Sequence, residues 1–311
     1  MKLGLAGDTM LGRKVAEAIG EHEPDAVVAD EVVAVAHEAD LLVLNLECCI
    51  SDRGEPWPDP GKPFFFRAPP AATEVLTRLG VNCVTLANNH VLDYGAEALL
   101  DTLAHLRGAG IGYVGAGVDV AAARAPVTLQ ANGFRLAILG CADHPRDYAA
   151  DPATPGIAYG LDWIGRAIAD VEADAVVVTP HWGPNMTSEP LPRIRRAAAR
   201  LRAAGATLVA GQSAHVFHGV EDGILYDLGD FLDDYAVDRE LRNDLGLFFL
   251  VELDRAGPVR LEAVPLALDF CHTRLAAGED AAWIRDRFTA ACRQLGTEVR
   301  AEEGRLVVSV R

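Results

Sequence analysis

Several things are scarce in this 311-residue sequence, and each scarcity excludes something. No apolar run approaches the ~18–20 residues of a membrane helix. The N-terminus, Met1-Lys2-Leu3-Gly4-Leu5-Ala6-Gly7-Asp8, has no basic segment followed by a long apolar stretch, so a classical signal peptide is not expected and the default location is cytoplasmic. The six cysteines (Cys48, Cys49, Cys83, Cys141, Cys271, Cys292) form no Cys-x-x-Cys pair. Cys48 and Cys49 are adjacent, which suits neither a disulfide pair nor a zinc knuckle, so reduced and mostly buried thiols are expected. Positive charge is short as well: 28 Lys and Arg against 45 Asp and Glu, a formal net charge of -17. Such a surface repels phosphate backbones and anionic headgroups, so neither nucleic acid nor membrane is expected as a partner. An anionic small substrate stays possible only where the site inverts the local field. No internal repeat or low-complexity tract is visible.

What is present is an ordinary globular composition, 50% hydrophobic and 23% charged. Strand and helix patterns alternate over the first two thirds. Strands are expected at Lys2–Ala6, Leu41–Leu46, Asn82–Leu86, Ala175–Thr179 and Thr207–Ala210. Helices are expected from Leu11, over Ala71–Leu79, over Ala96–Arg107 and over the arginine-studded Leu191–Ala203. Asn132-Gly133 marks a hairpin between Val127–Leu129 and Phe134–Gly140. Gly223–Leu228, Leu247–Leu253 and Val259–Pro265 look antiparallel, followed by a helix at Ala281–Leu295 and a strand at Leu306–Val310. The pattern predicts an α/β fold, one domain over 1–311 with its core at 2–266, built as two stacked mixed β-sheets flanked by helices. One long irregular segment, Cys49–Pro70, carries six prolines and Trp57, Phe64, Phe65 and Phe66, which suggests packing or substrate contact.

In open α/β sheets the ligand site lies beyond the carboxyl ends of the strands. Five successive strand ends here carry Gly7-Asp8, Asn45-Leu46-Glu47, Asn88-Asn89-His90, His181-Trp182-Gly183, and Gln212-Ser213-Ala214-His215 with His218 just beyond. Singly, each has a plainer explanation: Asp8 as a helix cap, Asn88 and Asn89 as turn formers, His181 or His215 as a buried imidazole. Jointly they place carboxylates and imidazoles, groups for metal ligation or proton transfer, in one pocket.

These motifs, with Gly7-Asp8-Thr9-Met10-Leu11-Gly12-Arg13, Ala87-Asn88-Asn89-His90 and Ser213-Ala214-His215-Val216, occur in the order of the CapA family, named for capsule and poly-γ-glutamate synthesis. The resemblance covers roughly Lys2 to Leu266, and Gly229-Asp230-Phe231 resembles the family's closing strand and loop. It implies a fold similar to the calcineurin-like metallophosphoesterases, a two-sheet sandwich between helices. It also implies two divalent ions (Mn, Fe or Zn) bridged by Glu47, one held by Asp8 and His215, the other by Asn89 and His181. His90 would then be the general acid. Two such ions against two carboxylates leave a net +2, enough to admit an anion.

The sequence departs from that pattern twice. Asp8-Thr9-Met10 lacks the Asp-x-His imidazole, and Gln212 stands where many relatives have a histidine, so the second metal position is the one in question. His218 could substitute for it or act as a base. The resemblance implies a metal-dependent hydrolase of a phosphoester or related bond. A second reading needs no cofactor: Asp8 and His215 or His90 on opposite sides of a peptide Cα would serve an epimerase, as in lasso-peptide relatives, and Asn185 fits that reading. A third is a non-catalytic binding protein. The partner would be a small molecule, polymer or peptide; the oligomeric state is not legible. Arg67, after the phenylalanines, is a candidate for a substrate anion, Asp230 for bracing a ligating histidine, and Asn45 for the same site. The arginines of Leu191–Ala203 are expected on a solvated face. His22, His37, His105, His144 and His272 follow no strand-end pattern and receive no role.

Overall fold

Leu41–Leu46 shows how the layers arise. All six residues are buried, yet successive side chains leave the strand on opposite faces. Leu41 and Val43 join one apolar cluster while Leu42, Leu44 and Leu46 join another. A strand apolar on both faces must be covered on both, and a second sheet and a layer of helices do so.

A computed structural model describes residues 1–21 and 27–309. His22 and the last residue of the strand predicted to end at Val310 lie outside them. The first sheet runs from an edge at Arg300–Glu302 through Arg305–Ser309, Gly257–Asp269, Leu245–Asp254, Lys2–Thr9, Leu41–Leu46 and Cys83–Thr85 to Gly112–Val114. Lys2–Thr9 pairs parallel with Leu41–Leu46 and antiparallel with Leu245–Asp254, so the sheet is mixed. The second sheet is ordered Val220–Glu221, Ile224–Leu225, Leu208–Ala210, Ala175–His181, Phe134–Ala142, Val127–Ala131.

Leu3, Leu5, Phe249 and Val251 of the first sheet meet Leu136, Ile138, Val177 and Leu208 of the second in one buried cluster. On the far side of the second sheet, Ala137, Leu139, Val176 and Val178 pack beneath the helices Ile164–Ala169 and Pro192–Ala203. The helices Arg13–Glu21, Asp30–Ala36, Ala72–Arg78 and Gly95–Gly108 cover the outer face of the first sheet. The expected α/β stack of two mixed sheets between helices is what forms. The C-terminal residues are built into it. Ile284, Phe288 and Cys292 of the helix Gly278–Gln294 enter the inter-sheet core, and Arg305–Ser309 pairs with Gly257–Asp269.

The predicted elements recur with their ends shifted by a few residues, and one pairing needs correction. The strand expected over Gly223–Leu228 shrinks to Ile224–Leu225. It runs parallel to Leu208–Ala210 and antiparallel only to Val220–Glu221. The hairpin turn is as expected: Asn132 and Gly133 both have positive φ, the geometry of a two-residue turn. All six cysteines are buried. The Cys49–Pro70 segment is tied down at both ends by the short parallel strands Cys49–Ile50 and Arg67–Ala68. Its Phe66 is buried.

Candidate metal centre

The carboxyl ends of the parallel strands of both sheets meet at one edge of the sandwich. On the first sheet, Asp8 lies near the end of Lys2–Thr9, in register with Asn45 on one side and Asp230 on the other. That closeness depends on Gly7, where a Cβ would stand 1.8 Å from the Gly229 carbonyl oxygen. Asn45 donates to Asp8 Oδ1 at 2.7 Å, which fixes the carboxylate and leaves Oδ2 facing the site. Glu47 follows Leu41–Leu46, its amide donating to the Thr9 carbonyl. Asn88 is structural: it donates to Asn45 Oδ1 and the Leu46 carbonyl, while its own Oδ1 accepts from the amides of His90 and Val91. That clamp shapes the loop presenting Asn89 and His90.

From the second sheet come His181, which ends Ala175–His181, and Gln212, bridged to it. His215 reaches in from a strained turn in which Ser213 and His215 both have positive φ. The turn is held by the Ala214 amide donating to Asp227 and the Ser213 hydroxyl donating to the Gly183 carbonyl. His215 Nδ1 lies 2.8 Å from Asp230 Oδ1 and 3.2 Å from Asp8 Oδ2. With Nδ1 so engaged, Nε2 is the nitrogen left for a metal or for a substrate.

The polar atoms without partners decide what this edge suits. Both oxygens of Glu47, Asn89 Oδ1, His181 Nδ1, Gln212 Oε1 and Asp230 Oδ2 are buried with no hydrogen bond, and Asp8 Oδ2 has none beyond the approach of His215. Buried polar groups are normally satisfied, so this many orphaned acceptors together are exceptional. All are oxygen or imidazole nitrogen, donors that suit a borderline or hard divalent ion. Ligand atoms of Asp8, His215 and Asp230 lie within 4.8 Å of one another. The residues fit a divalent metal.

The electrostatics agree. Burial, then the neighbouring Asp8, pushes the Glu47 carboxyl well above the carboxylate range. Burial does the same to Asp230, against the pull of His215. Burial opposes a charged His215, but Asp230 and Glu47 carry it well above its usual value. His181 is driven down to about 3, chiefly by burial. Asp8, despite burial, lies low because of His215 and His181. Crowded and buried without a counter-ion, Glu47 and Asp230 are pushed toward their neutral forms, and a cation held among them would favour the carboxylates.

His90 stands beside this cluster. Its Nδ1 lies 2.7 Å from Asp93 Oδ2, and its ring stacks on Phe66 with centroids 4.0 Å apart. Asp93 also accepts from Lys62, Tyr148 and the Phe66 amide, so it is rigidly held. Burial lowers the His90 imidazole, with Asp93 opposing. His90 and His215 both line a cleft of about 490 Å³, as does Asn185.

Two candidates lie elsewhere. Arg67 does not line the cleft; its guanidinium donates to the Arg53 and Gly54 carbonyls and sits 4.1 Å from the Tyr94 ring centre. His218 Nε2 is hydrogen-bonded to the Thr187 carbonyl, and burial pushes it down to about 4. Its charged neighbour is Arg287, not the Asp8 cluster. Sequence reasoning missed Arg13 and Tyr235, which line the cleft, and Asp93 behind His90. It also passed over His144. Phe134–Ala142 continues to Ala142, so Asp143-His144 is a sixth strand end. His144 Nδ1 lies 2.5 Å from Asp143, and its ring centre is 5.3 Å from that of His181.

Residues 2–235 match the family described as Bacterial capsule synthesis protein PGA_cap. The chain belongs to this family. It is 33% identical over 284 residues to a Mycobacterium tuberculosis protein named "Probable polyglutamine synthesis accessory protein", spanning 84% of this chain and 74% of that one. It is 28% identical over 275 residues to the "PGA biosynthesis protein CapA" of Bacillus subtilis, spanning 86% and 71%. Among solved structures, a "novel phosphatase" from Mycoplasma pneumoniae superposes with a TM-score of 0.55 at 14% identity, covering 86% of this chain and 94% of that one. A hypothetical protein from Thermus thermophilus superposes with a TM-score of 0.53 at 15% identity, covering 86% and 100%. The resemblance read from the motifs is borne out, as is the two-sheet sandwich between helices that it implied, a fold shared with that phosphatase. Among the described residues of this PGA_cap chain, no helix is long and apolar enough to cross a membrane.

Proposed function

We propose that this PGA_cap protein is a divalent-metal-dependent phosphoester hydrolase. The observation that carries the reading is the set of orphaned acceptors where the two sheets meet: Asp8, Glu47, Asn89, His181, Gln212 and Asp230. Asp8, Glu47, Asn89, His181 and His215 would hold the metal, with Gln212 contributing an amide oxygen in the weaker position. When bound, a divalent ion supplies an acidified water and neutralises phosphoryl charge. The chain's own groups do the rest. Asn45 locks Asp8 so that Oδ2 points inward, and Asp230 orients His215. Asp93 accepts from His90 Nδ1–H, so it is the doubly protonated imidazolium that carries a proton on Nε2 for the departing oxygen, while Phe66 shields one face of the ring from water.

The test is metal content and hydrolysis of bis(p-nitrophenyl) phosphate. Protein purified without chelator is expected to carry at least one Mn, Fe or Zn per chain, and to lose activity to EDTA and regain it with Mn. Glu47→Gln is expected to abolish both the metal and the activity. Full activity after EDTA overturns the proposal.

One observation favours a variant of the second reading, with His90 in place of Asp8 as the partner of His215. His90 and His215 line the same cleft, each beside a carboxylate, an arrangement suited to two-base proton transfer on a peptide Cα. Solvent deuterium exchange into a peptide's α-position that survives EDTA would select it.

A further inference from the structure

The cleft that opens on His90 and His215 has walls of an unexpected kind. Phe64 is 53% exposed, Met186 37% and Val237 52%, and all three line it. Single exposed apolar side chains are ordinary, but three around one concave space mark a binding surface. They continue an aromatic strip. Phe64 and Phe66 lie nearly parallel, 16° apart with centroids at 6.4 Å, and Phe66 in turn stacks on His90. Tyr235 meets His215 edge-on, with centroids 5.3 Å apart.

Arg13 is the one lysine or arginine among the described residues that line the cleft. Its charge is already matched. Nη2 lies 2.6 Å from Asp234 Oδ1, and Nε donates to Asp234 Oδ2 at 3.0 Å. The guanidinium instead lies 5.3 Å from the centres of both Phe64 and Phe66, so it extends the aromatic wall. Asp238 adds negative charge at the rim.

Resting on the hydrolase reading, we infer that this cleft receives a neutral aromatic or bulky apolar group attached to the substrate's reacting phosphoryl group. Continuity with His90 and His215 makes the occupant part of the substrate. The matched Arg13 and the nearby Asp238 decide its charge. A γ-glutamyl chain, carrying a carboxylate on every residue, would need cations that the cleft does not offer. A volume of about 490 Å³ is within the range of small-molecule sites and well above what a phosphate alone fills.

Three probes, with tri-γ-glutamate as a competitor, test this by calorimetry on Mn-loaded protein: inorganic phosphate, the non-hydrolysable 1-naphthylphosphonate and 1-naphthol. 1-Naphthylphosphonate is expected to bind at least about tenfold tighter than inorganic phosphate, from the apolar area buried. Phe64→Ala and Met186→Ser should each shrink that ratio while metal content stays unchanged. Tri-γ-glutamate should not displace the naphthyl probe. 1-Naphthol should bind with or without metal and weaken in Phe64→Ala, so the cleft is read separately from the metal. Metal-dependent phosphate binding with no naphthyl preference overturns this inference and leaves the hydrolase reading standing. Naphthol binding without any metal-dependent phosphate binding overturns the phosphoryl attachment and with it the hydrolase reading. Displacement by tri-γ-glutamate overturns the inference of a neutral apolar occupant and leaves the hydrolase reading standing.

Discussion

His90 is the residue on which the proposed chemistry turns, because a proton donor matters only as much as the leaving group needs it. An alkoxide leaves badly unless protonated, whereas p-nitrophenolate leaves unaided. Replacing His90 by Asn keeps a polar side chain of similar reach but removes the transferable proton. Hydrolysis of an alkyl phosphate by His90→Asn is expected to fall by about 10²–10⁴, and that of p-nitrophenyl phosphate by much less. Asp93→Asn should show the same split more weakly, since Asp93 acts through the imidazole it holds. An equal loss on both substrates would assign His90 to metal binding or to packing. The pair was half legible in the sequence. His90 stood out as the end of Ala87-Asn88-Asn89-His90. Asp93, three residues on in a turn, had no pattern to distinguish it from surface acid, and only its four donors in the fold do so.

Parallel strands explain why so much of the site could be read from the chain. They all point the same way, so whatever follows each one arrives at the same edge, and Asp8, Glu47, Asn89, His181 and Gln212 need only a strand before them. Residues delivered by other geometry were not legible. Arg13 follows a strand end by four residues and acquires its role only where Phe64, Phe66 and Asp234 meet it. His144 was hidden because its strand runs two residues further than its hydrophobic pattern suggested. Delivery to one edge also has a steric condition, and Gly7 meets it. A methyl at Gly7 would collide with the Gly229 carbonyl and force apart the segments that bring Asp8 beside Asp230. Gly7→Ala is therefore expected to destabilise the fold by about 3 kcal/mol, as overpacking does, and to weaken metal binding more than its loss of melting temperature accounts for. A variant that keeps wild-type stability and metal content would show that the two strands can separate freely.

Across the whole molecule, 45 Asp and Glu share 28 Lys and Arg, so a basic side chain that serves two carboxylates at once carries disproportionate weight. Arg305 is one of them. From the C-terminal strand Arg305–Ser309 it donates to Glu262 at 2.7 Å and to Glu38 at 2.8 Å. It thus joins that strand to Gly257–Asp269 and to the turn after Asp30–Ala36. Arg305 holds the Glu38 carboxyl below its ordinary 4.5, against some burial. Burial works to raise Glu262, but Arg305 and Arg260 hold it low as well. A carboxyl whose value falls on folding binds protons more readily in the unfolded chain. Its contribution is complete above about pH 4.5, the unfolded value, and is lost as the pH falls through the lower folded value. Arg305→Met keeps the aliphatic stem and removes the charge. It is expected to cost about 1 kcal/mol at pH 7, since the pairs are partly exposed and screened. In thermal melts the gap from wild type should narrow as the pH drops below about 4, where the unfolded carboxyls take up protons first. A gap of constant size from pH 7 to pH 3 would mean that Arg305 acts through packing alone, and that the acidic excess is tolerated without this clasp.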